Sequence, residues 1–197
     1  MKTGLFFGSF NPIHIGHLAI ANYIVEYTDL EEIWFIVSPH NPLKEKNSLL
    51  DDRNRLYMVR LAVEDDPRFR ASDIEFSLPK PSYTIDTMAF LTEKYPDRDF
   101  CLIMGEDNLF TLHKWKNPEE LVKRYRILVY PRPGISSKDN PVLKKILETA
   151  DLKMVPAPLM EISGTFIRSA IKEGKDICYF LPPPVWKYIQ EMHYYEK

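Results

Sequence analysis

Short apolar runs alternate along this chain with longer stretches in which apolar residues recur every three or four positions. The first pattern predicts strands and the second predicts helices with one buried face. Strands are expected at Gly4–Gly8, Ile33–Ser38, Arg70–Phe76, Phe100–Met104, Ile127–Tyr130 and Lys153–Val155. Helices are expected at Ile15–Tyr27, Arg53–Glu64, Ile85–Lys94, Pro118–Tyr125, Pro141–Thr149, Thr165–Lys172 and Val185–His193. Repeated strand–helix alternation packs as an α/β fold, a parallel sheet with helices on both faces. Ligands of such sheets bind beyond the carboxyl ends of the strands, so the loops that follow strands are where chemistry is sought. Pro131–Pro141 reads as a surface loop rather than a linker, because too little chain follows it for a second domain. The expected organisation is one domain over 1–197 with a helical part from about residue 163 onward.

Composition narrows the function. With 45% hydrophobic residues in 197, the chain can bury a sizeable core. A net charge of -2 lacks the basic excess of a general nucleic-acid binder but leaves room for a small anionic ligand held by local cations. The two cysteines, Cys101 and Cys178, are far apart with apolar neighbours and read as buried free thiols, which suits a reducing compartment. Asn11, Pro12, His14 and His17 interrupt the N-terminal apolar stretch that a signal peptide would need, and no run approaches a membrane span. A soluble, cytoplasmic protein is expected.

The first segment that carries chemistry is Gly8-Ser9-Phe10-Asn11-Pro12-Ile13-His14-Ile15-Gly16-His17, between the first strand and the first helix. Free N–H groups and the helix dipole make such a junction a natural phosphate site. Gly8 permits close backbone approach, and Pro12 sets the turn into the helix. His14 and His17 are three apart and share one helical face. Two imidazoles there can donate to charge that builds on phosphate oxygen. The same residues also fit a capped turn with two incidental histidines. A metal site fits less well, since HxxH lacks the glutamate of HExxH and a third ligand. The segment resembles the G-[GST]-F-[DN]-P-x-H-x-G-H signature of the HxGH nucleotidyltransferases, which have a Rossmann-like, doubly wound parallel sheet. That resemblance implies that His14 and His17 meet the phosphates of ATP and stabilise the transition state.

A second segment, Ile162-Ser163-Gly164-Thr165-Phe166-Ile167-Arg168, precedes an amphipathic helix. Ser163 or Thr165 can cap that helix, and Arg168 can complete an anion cradle, although a capped helix followed by a surface arginine is also common. It resembles the second signature of the group, I-S-S-T-x-I-R, with Gly164 in place of serine. The roles of Ser163, Thr165 and Arg168 in holding the β- and γ-phosphates follow from the resemblance. None is carried to Gly164.

The middle of the chain distinguishes members of the group, among which phosphopantetheine adenylyltransferases and cytidylyltransferases are the main competitors. Pro81-Ser82-Tyr83-Thr84-Ile85-Asp86-Thr87 resembles the P-S-Y-T-x-D-T segment of nicotinate-nucleotide adenylyltransferases, and Gly105-Glu106-Asp107-Asn108 resembles their G-x-D segment. Leu112-His113-Lys114-Trp115 is similar to the stretch whose tryptophan stacks on the pyridine ring. Arg132 matches an R-x-G near the nucleotide, and Lys44 falls in a loop similar to P-x-x-P-H-K, with altered spacing. The resemblance therefore implies an ATP site of Gly8, Ser9, Phe10, His14, His17, Gly105, Asp107, Ser163, Thr165 and Arg168, with His14, His17 and Arg168 catalytic. The acceptor side would comprise Lys44, Tyr83, Thr84, Trp115 and Arg132.

The implied reaction joins ATP to nicotinate mononucleotide, giving nicotinate adenine dinucleotide and pyrophosphate, with Mg²⁺ carried on ATP and no protein metal site. The acceptor phosphate would attack the α-phosphorus in line, without a covalent intermediate. The protein's task would be to position two polyanions and neutralise charge. Nicotinamide mononucleotide or phosphopantetheine as acceptor, and a nucleotide-binding module without turnover, are the alternatives.

Overall fold

A computed structural model describes residues 1–39, 49–132, 134 and 140–196. Its six strands are β1 (Lys2–Gly8), β2 (Glu32–Val37), β3 (Phe69–Ser72), β4 (Asp99–Gly105), β5 (Ile127–Tyr130) and β6 (Leu152–Met154). They form one sheet in the order β3-β2-β1-β4-β5-β6 with every pairing parallel. The helices are α1 (Ile15–Tyr27), α2 (Asp52–Val63), α3 (Thr84–Lys94), α4 (Glu106–Thr111), α5 (Pro118–Arg124), α6 (Pro141–Leu147), α7 (Gly164–Lys172) and α8 (Pro183–Glu191).

Strand side chains alternate between two cores, as the pleat requires. Phe6, Phe35, Ile103 and Leu128 face the core shared with α1, α2, α7 and α8. Leu5, Trp34, Leu102 and Val129 face the core shared with α3, α5 and α6. Both faces of the sheet are therefore covered, which is why its central strands read as unbroken apolar runs. The strand order reverses between β1 and β4, and the crevice beyond their carboxyl ends is the switch point of a doubly wound sheet.

The expected and observed elements differ in instructive places. The strand expected over Arg70–Phe76 ends at Ser72, and Ile74–Phe76 forms a 3₁₀ turn. There the Ser72 hydroxyl accepts from Ile74 N, and Glu75 turns inward to bury its carboxylate. Helix α4 lies where the sequence pattern predicts no element. It follows β4 without a loop, and its short length gives too few turns for a period to register. Helix α8 begins at Pro183, earlier than expected, because prolines are tolerated in a first helical turn, where their missing N–H costs nothing. Most of the Pro131–Pro141 stretch and Lys44 lie outside the described residues.

Candidate functional site

β1 delivers the first motif to the switch point. Gly8 ends the strand, and a Cβ there would stand 2.7 Å from the ring of Phe10. Phe10 adopts a left-handed φ of 43° and turns its ring inward. That ring is buried against Phe6 and Phe35 and touches His17 edge-on at 5.1 Å between centroids. Only its backbone is left to meet a ligand. His14 caps α1 in an extended conformation, and its ring stacks on His17 with centroids 3.7 Å apart. A Cβ on Gly16 would lie 3.1 Å from His14 Nδ1, so glycine makes room for the imidazole.

The two histidines differ electrostatically. His14 is buried, and burial, with Arg132 adding to it, lowers its pKa to about 3, so it is neutral at physiological pH. Its Nδ1 has no hydrogen-bond partner among the described residues. His17 Nδ1 accepts from the main-chain N–H of His14 at 3.3 Å. In the neutral ring that acceptance leaves the proton on Nε2.

α7 brings the second motif to the same place. Ser163 is its cap, with Oγ accepting from Phe166 N at 3.2 Å. Arg168, one turn in, donates from Nη1 to the main-chain oxygen of Asn11 at 2.8 Å and from Nη2 to Thr165 Oγ1 at 3.4 Å. The two motifs, 157 positions apart between Asn11 and Arg168, are thus directly bonded. A Cβ on Gly164 would stand 2.9 Å from that Asn11 oxygen, so glycine lets α7 approach the loop.

The third side of the crevice is the end of β4. A Cβ on Gly105 would collide with Asp107 Oδ1, which is itself buried without a hydrogen-bond partner among the described residues and lies 3.5 Å from Arg132 Nε. Arg132 also donates its main-chain N–H to Glu106 Oε2 at 3.1 Å. The Arg132 charge is also close enough to His14 to help lower its pKa.

Residues of the Pro81–Thr87 segment line a cavity of about 490 Å³ together with, among others, Pro79, Lys80 and Lys116. Lys116 pairs with Asp86 at 2.8 Å and sits over the Tyr83 ring, 4.9 Å from its centroid. Thr84, the first residue of α3, and Trp115 do not line this cavity. Trp115 is half-buried against the second core.

Three supporting residues escaped the sequence reading. Arg55 of α2 is fully buried and donates to the main-chain oxygens of Ser9 (2.5 Å), Ser38 (2.9 Å), Pro39 (3.2 Å) and Leu50 (2.8 Å). Burial lowers its pKa, and Asp52 and Asp51 partly offset that. Glu75 accepts from Thr87 Oγ1 at 2.8 Å and Ser82 Oγ at 3.2 Å, which pins the Pro81–Thr87 segment. Burial pushes its carboxyl up, while the hydroxyls of Ser38, Thr87 and Ser82 pull it back. Lys116 follows Trp115 directly, and a cation beside an aromatic was the only signal that could have drawn attention to it.

Residues 5–170 match the Cytidylyltransferase-like family model. A Flavobacterium johnsoniae protein named "Probable nicotinate-nucleotide adenylyltransferase" is 53% identical over 197 residues, 100% of both chains. The chain belongs to the nicotinate-nucleotide adenylyltransferases of the cytidylyltransferase-like family. A Bacteroides thetaiotaomicron protein of the same name is 52% identical over 97% of this chain and 92% of its own. Among solved structures, Plasmodium falciparum nicotinic acid mononucleotide adenylyltransferase complexed with NaAD superposes with a TM-score of 0.80 at 20% identity. That match covers 99% of this chain and 97% of the other, and it shows that this adenylyltransferase has the same Rossmann-like fold. Among the described residues of this nicotinate-nucleotide adenylyltransferase, no helix is long and apolar enough to cross a membrane.

Proposed function

We propose that this chain transfers the adenylyl group of ATP to nicotinate mononucleotide, releasing pyrophosphate and forming nicotinate adenine dinucleotide in the cytoplasm. The observation that carries this reading is the bond from Arg168 to the Asn11 oxygen, which joins two helix N-termini into one anion-binding crevice at the switch point. The full-length relatives support the choice of reaction.

In this reading the acceptor phosphate attacks the α-phosphorus of ATP, and the bond to the bridging oxygen of pyrophosphate breaks. The nucleophile is already an anion, so no general base is required. Backbone N–H groups of residues 8–10 and the cap region of Ser163–Thr165 hold phosphate oxygens, and Arg168 supplies a planar guanidinium. His17 presents a proton on Nε2 because its Nδ1 is engaged by His14 N, and it donates to the oxygen that gains charge in the transition state. His14, kept neutral by burial, offers a second hydrogen bond without adding charge. Asp107 serves the nucleotide side near Gly105, and Lys44, Tyr83, Thr84, Trp115 and Arg132 serve the acceptor. Mg²⁺ enters as part of the ATP substrate. The described residues contain no group of three His, Cys, Asp or Glu side chains suited to holding an ion of their own.

The test is a product assay with Mg·ATP against nicotinate mononucleotide, nicotinamide mononucleotide and phosphopantetheine, with the His17→Ala variant alongside. Dinucleotide and pyrophosphate should form with the acid at the highest kcat/KM. The variant should lose about 10²–10³ in kcat with little change in KM for ATP. Turnover only with phosphopantetheine would overturn the acceptor, and near-normal turnover by the variant would remove His17 from the chemistry.

A further inference from the structure

After α8 the chain does not run out into solvent. Two non-glycine residues with left-handed φ, His193 at 53° and Tyr195 at 68°, coil it back over the α2–α8 face. Such conformations cost energy and persist where surrounding contacts hold them. Here Tyr194 N donates to Ile189 O at 3.1 Å, and the Tyr194 ring packs on Tyr188. Tyr188 in turn packs on Tyr57 of α2 and donates to Asn54 Oδ1 at 3.4 Å. The outcome of this coil is that the Tyr195 hydroxyl donates to Asn11 Oδ1 at 2.8 Å, across 184 positions.

Asn11 is the junction of the first motif. Its side-chain oxygen accepts from Tyr195 and from Leu50 N at 3.3 Å, and its main-chain oxygen accepts from Arg168. Holding the Asn11 amide therefore holds the carbonyl that aims Arg168. The phenol lies within electrostatic reach of both Arg168 and Arg55, and burial raises its pKa, so it remains a protonated donor across the working pH range.

We propose that Tyr195 is a positioning residue for adenylyl transfer, which by donating to Asn11 Oδ1 fixes the loop of residues 9–14 and the guanidinium of Arg168 against the phosphates of ATP. This rests on the reading of Arg168 as a phosphate ligand. A tail residue that merely packs would act through its ring. A positioning residue acts through its hydroxyl and through one substrate.

The deciding variant is Tyr195→Phe, which keeps the ring and removes the donor. Its Kd for Mg·ATP, titrated calorimetrically without acceptor, should rise about 5–10-fold, the effect of one lost hydrogen bond. KM for the acceptor should stay within about twofold, which separates local misalignment from general loosening. The same loss should appear in an Asn11→Asp background, which keeps an oxygen acceptor, and vanish in an Asn11→Ala background. Unchanged ATP affinity in Tyr195→Phe would overturn the proposal, as would equal losses for both substrates or an undiminished loss in Asn11→Ala. If Asn11→Ala does not fold, the Asn11→Asp arm and the split between substrates still decide. The ATP titration requires no acceptor, so a wrong acceptor assignment would fail the product assay and leave this test standing.

Discussion

His14 shows how one side chain can tie stability to acidity. Its folded pKa of about 3 lies well below the 6.5 of an unfolded histidine. Above pH 6.5 both states are neutral and the ring costs nothing. As pH falls from 6.5 towards 3, the unfolded chain takes up a proton that the folded chain refuses, so folding stability declines. The slope from this one group is at most about 1.4 kcal/mol per pH unit. Urea midpoints of wild type and His14→Asn, measured between pH 7 and 4, should therefore diverge on acidification, with wild type falling more steeply. Parallel curves would mean that His14 titrates normally. The sequence disclosed the paired histidines because their spacing is local. It could not disclose that one is buried and the other bonded through Nδ1, since those states depend on Phe10, Gly16 and Arg132.

At the scale of elements, α7 departs from the family signature at Gly164, and the structure gives the reason. A side chain there meets the Asn11 carbonyl at 2.9 Å, and that carbonyl is held by Arg168. Gly164→Ser restores the hydroxyl of the signature yet should weaken this protein. Overpacking costs about 1–3 kcal/mol, and either α7 or the loop must retreat. The expected result is a lower melting temperature together with a raised KM for ATP. A variant with improved ATP binding would show that the loop yields freely. Periodicity located most strands and helices because each core-facing stripe is long enough to register. It failed at β3 and α4, where the chain turns to bury Glu75 or starts a six-residue helix straight from a strand. The P-S-Y-T-x-D-T match marked α3, but Ser82 and Thr87 of that segment are bonded to Glu75, whose place in the sequence carries no sign of this.

For the molecule as a whole, the alternation of elements made a covered parallel sheet readable, and the order β3-β2-β1-β4-β5-β6 then set the crevice between β1 and β4. The internal brace of that crevice was not readable, because Arg55 looks like any arginine on a polar helix until its neighbours are known. It satisfies main-chain oxygens from the ends of β1 and β2 and the entry to α2. Arg55→Lys supplies a point charge with fewer, differently aimed donors. Each carbonyl left without a donor should cost about 1–3 kcal/mol, and urea denaturation should register the loss even when ATP is absent. A midpoint equal to wild type would show that the oxygens find other donors. The long reach of the Tyr195 contact carries a different consequence, for the order in which the molecule is made. Synthesis delivers β1 and the Gly8–His17 loop first, and the partners of Asn11 arrive only with α7 and the turn after α8. Contacts so distant in sequence form late, since a long loop must close before they contribute. The Asn11 junction, with its bonds to Arg168 and Tyr195, is therefore completed only after α7 and the turn that follows α8 have been made.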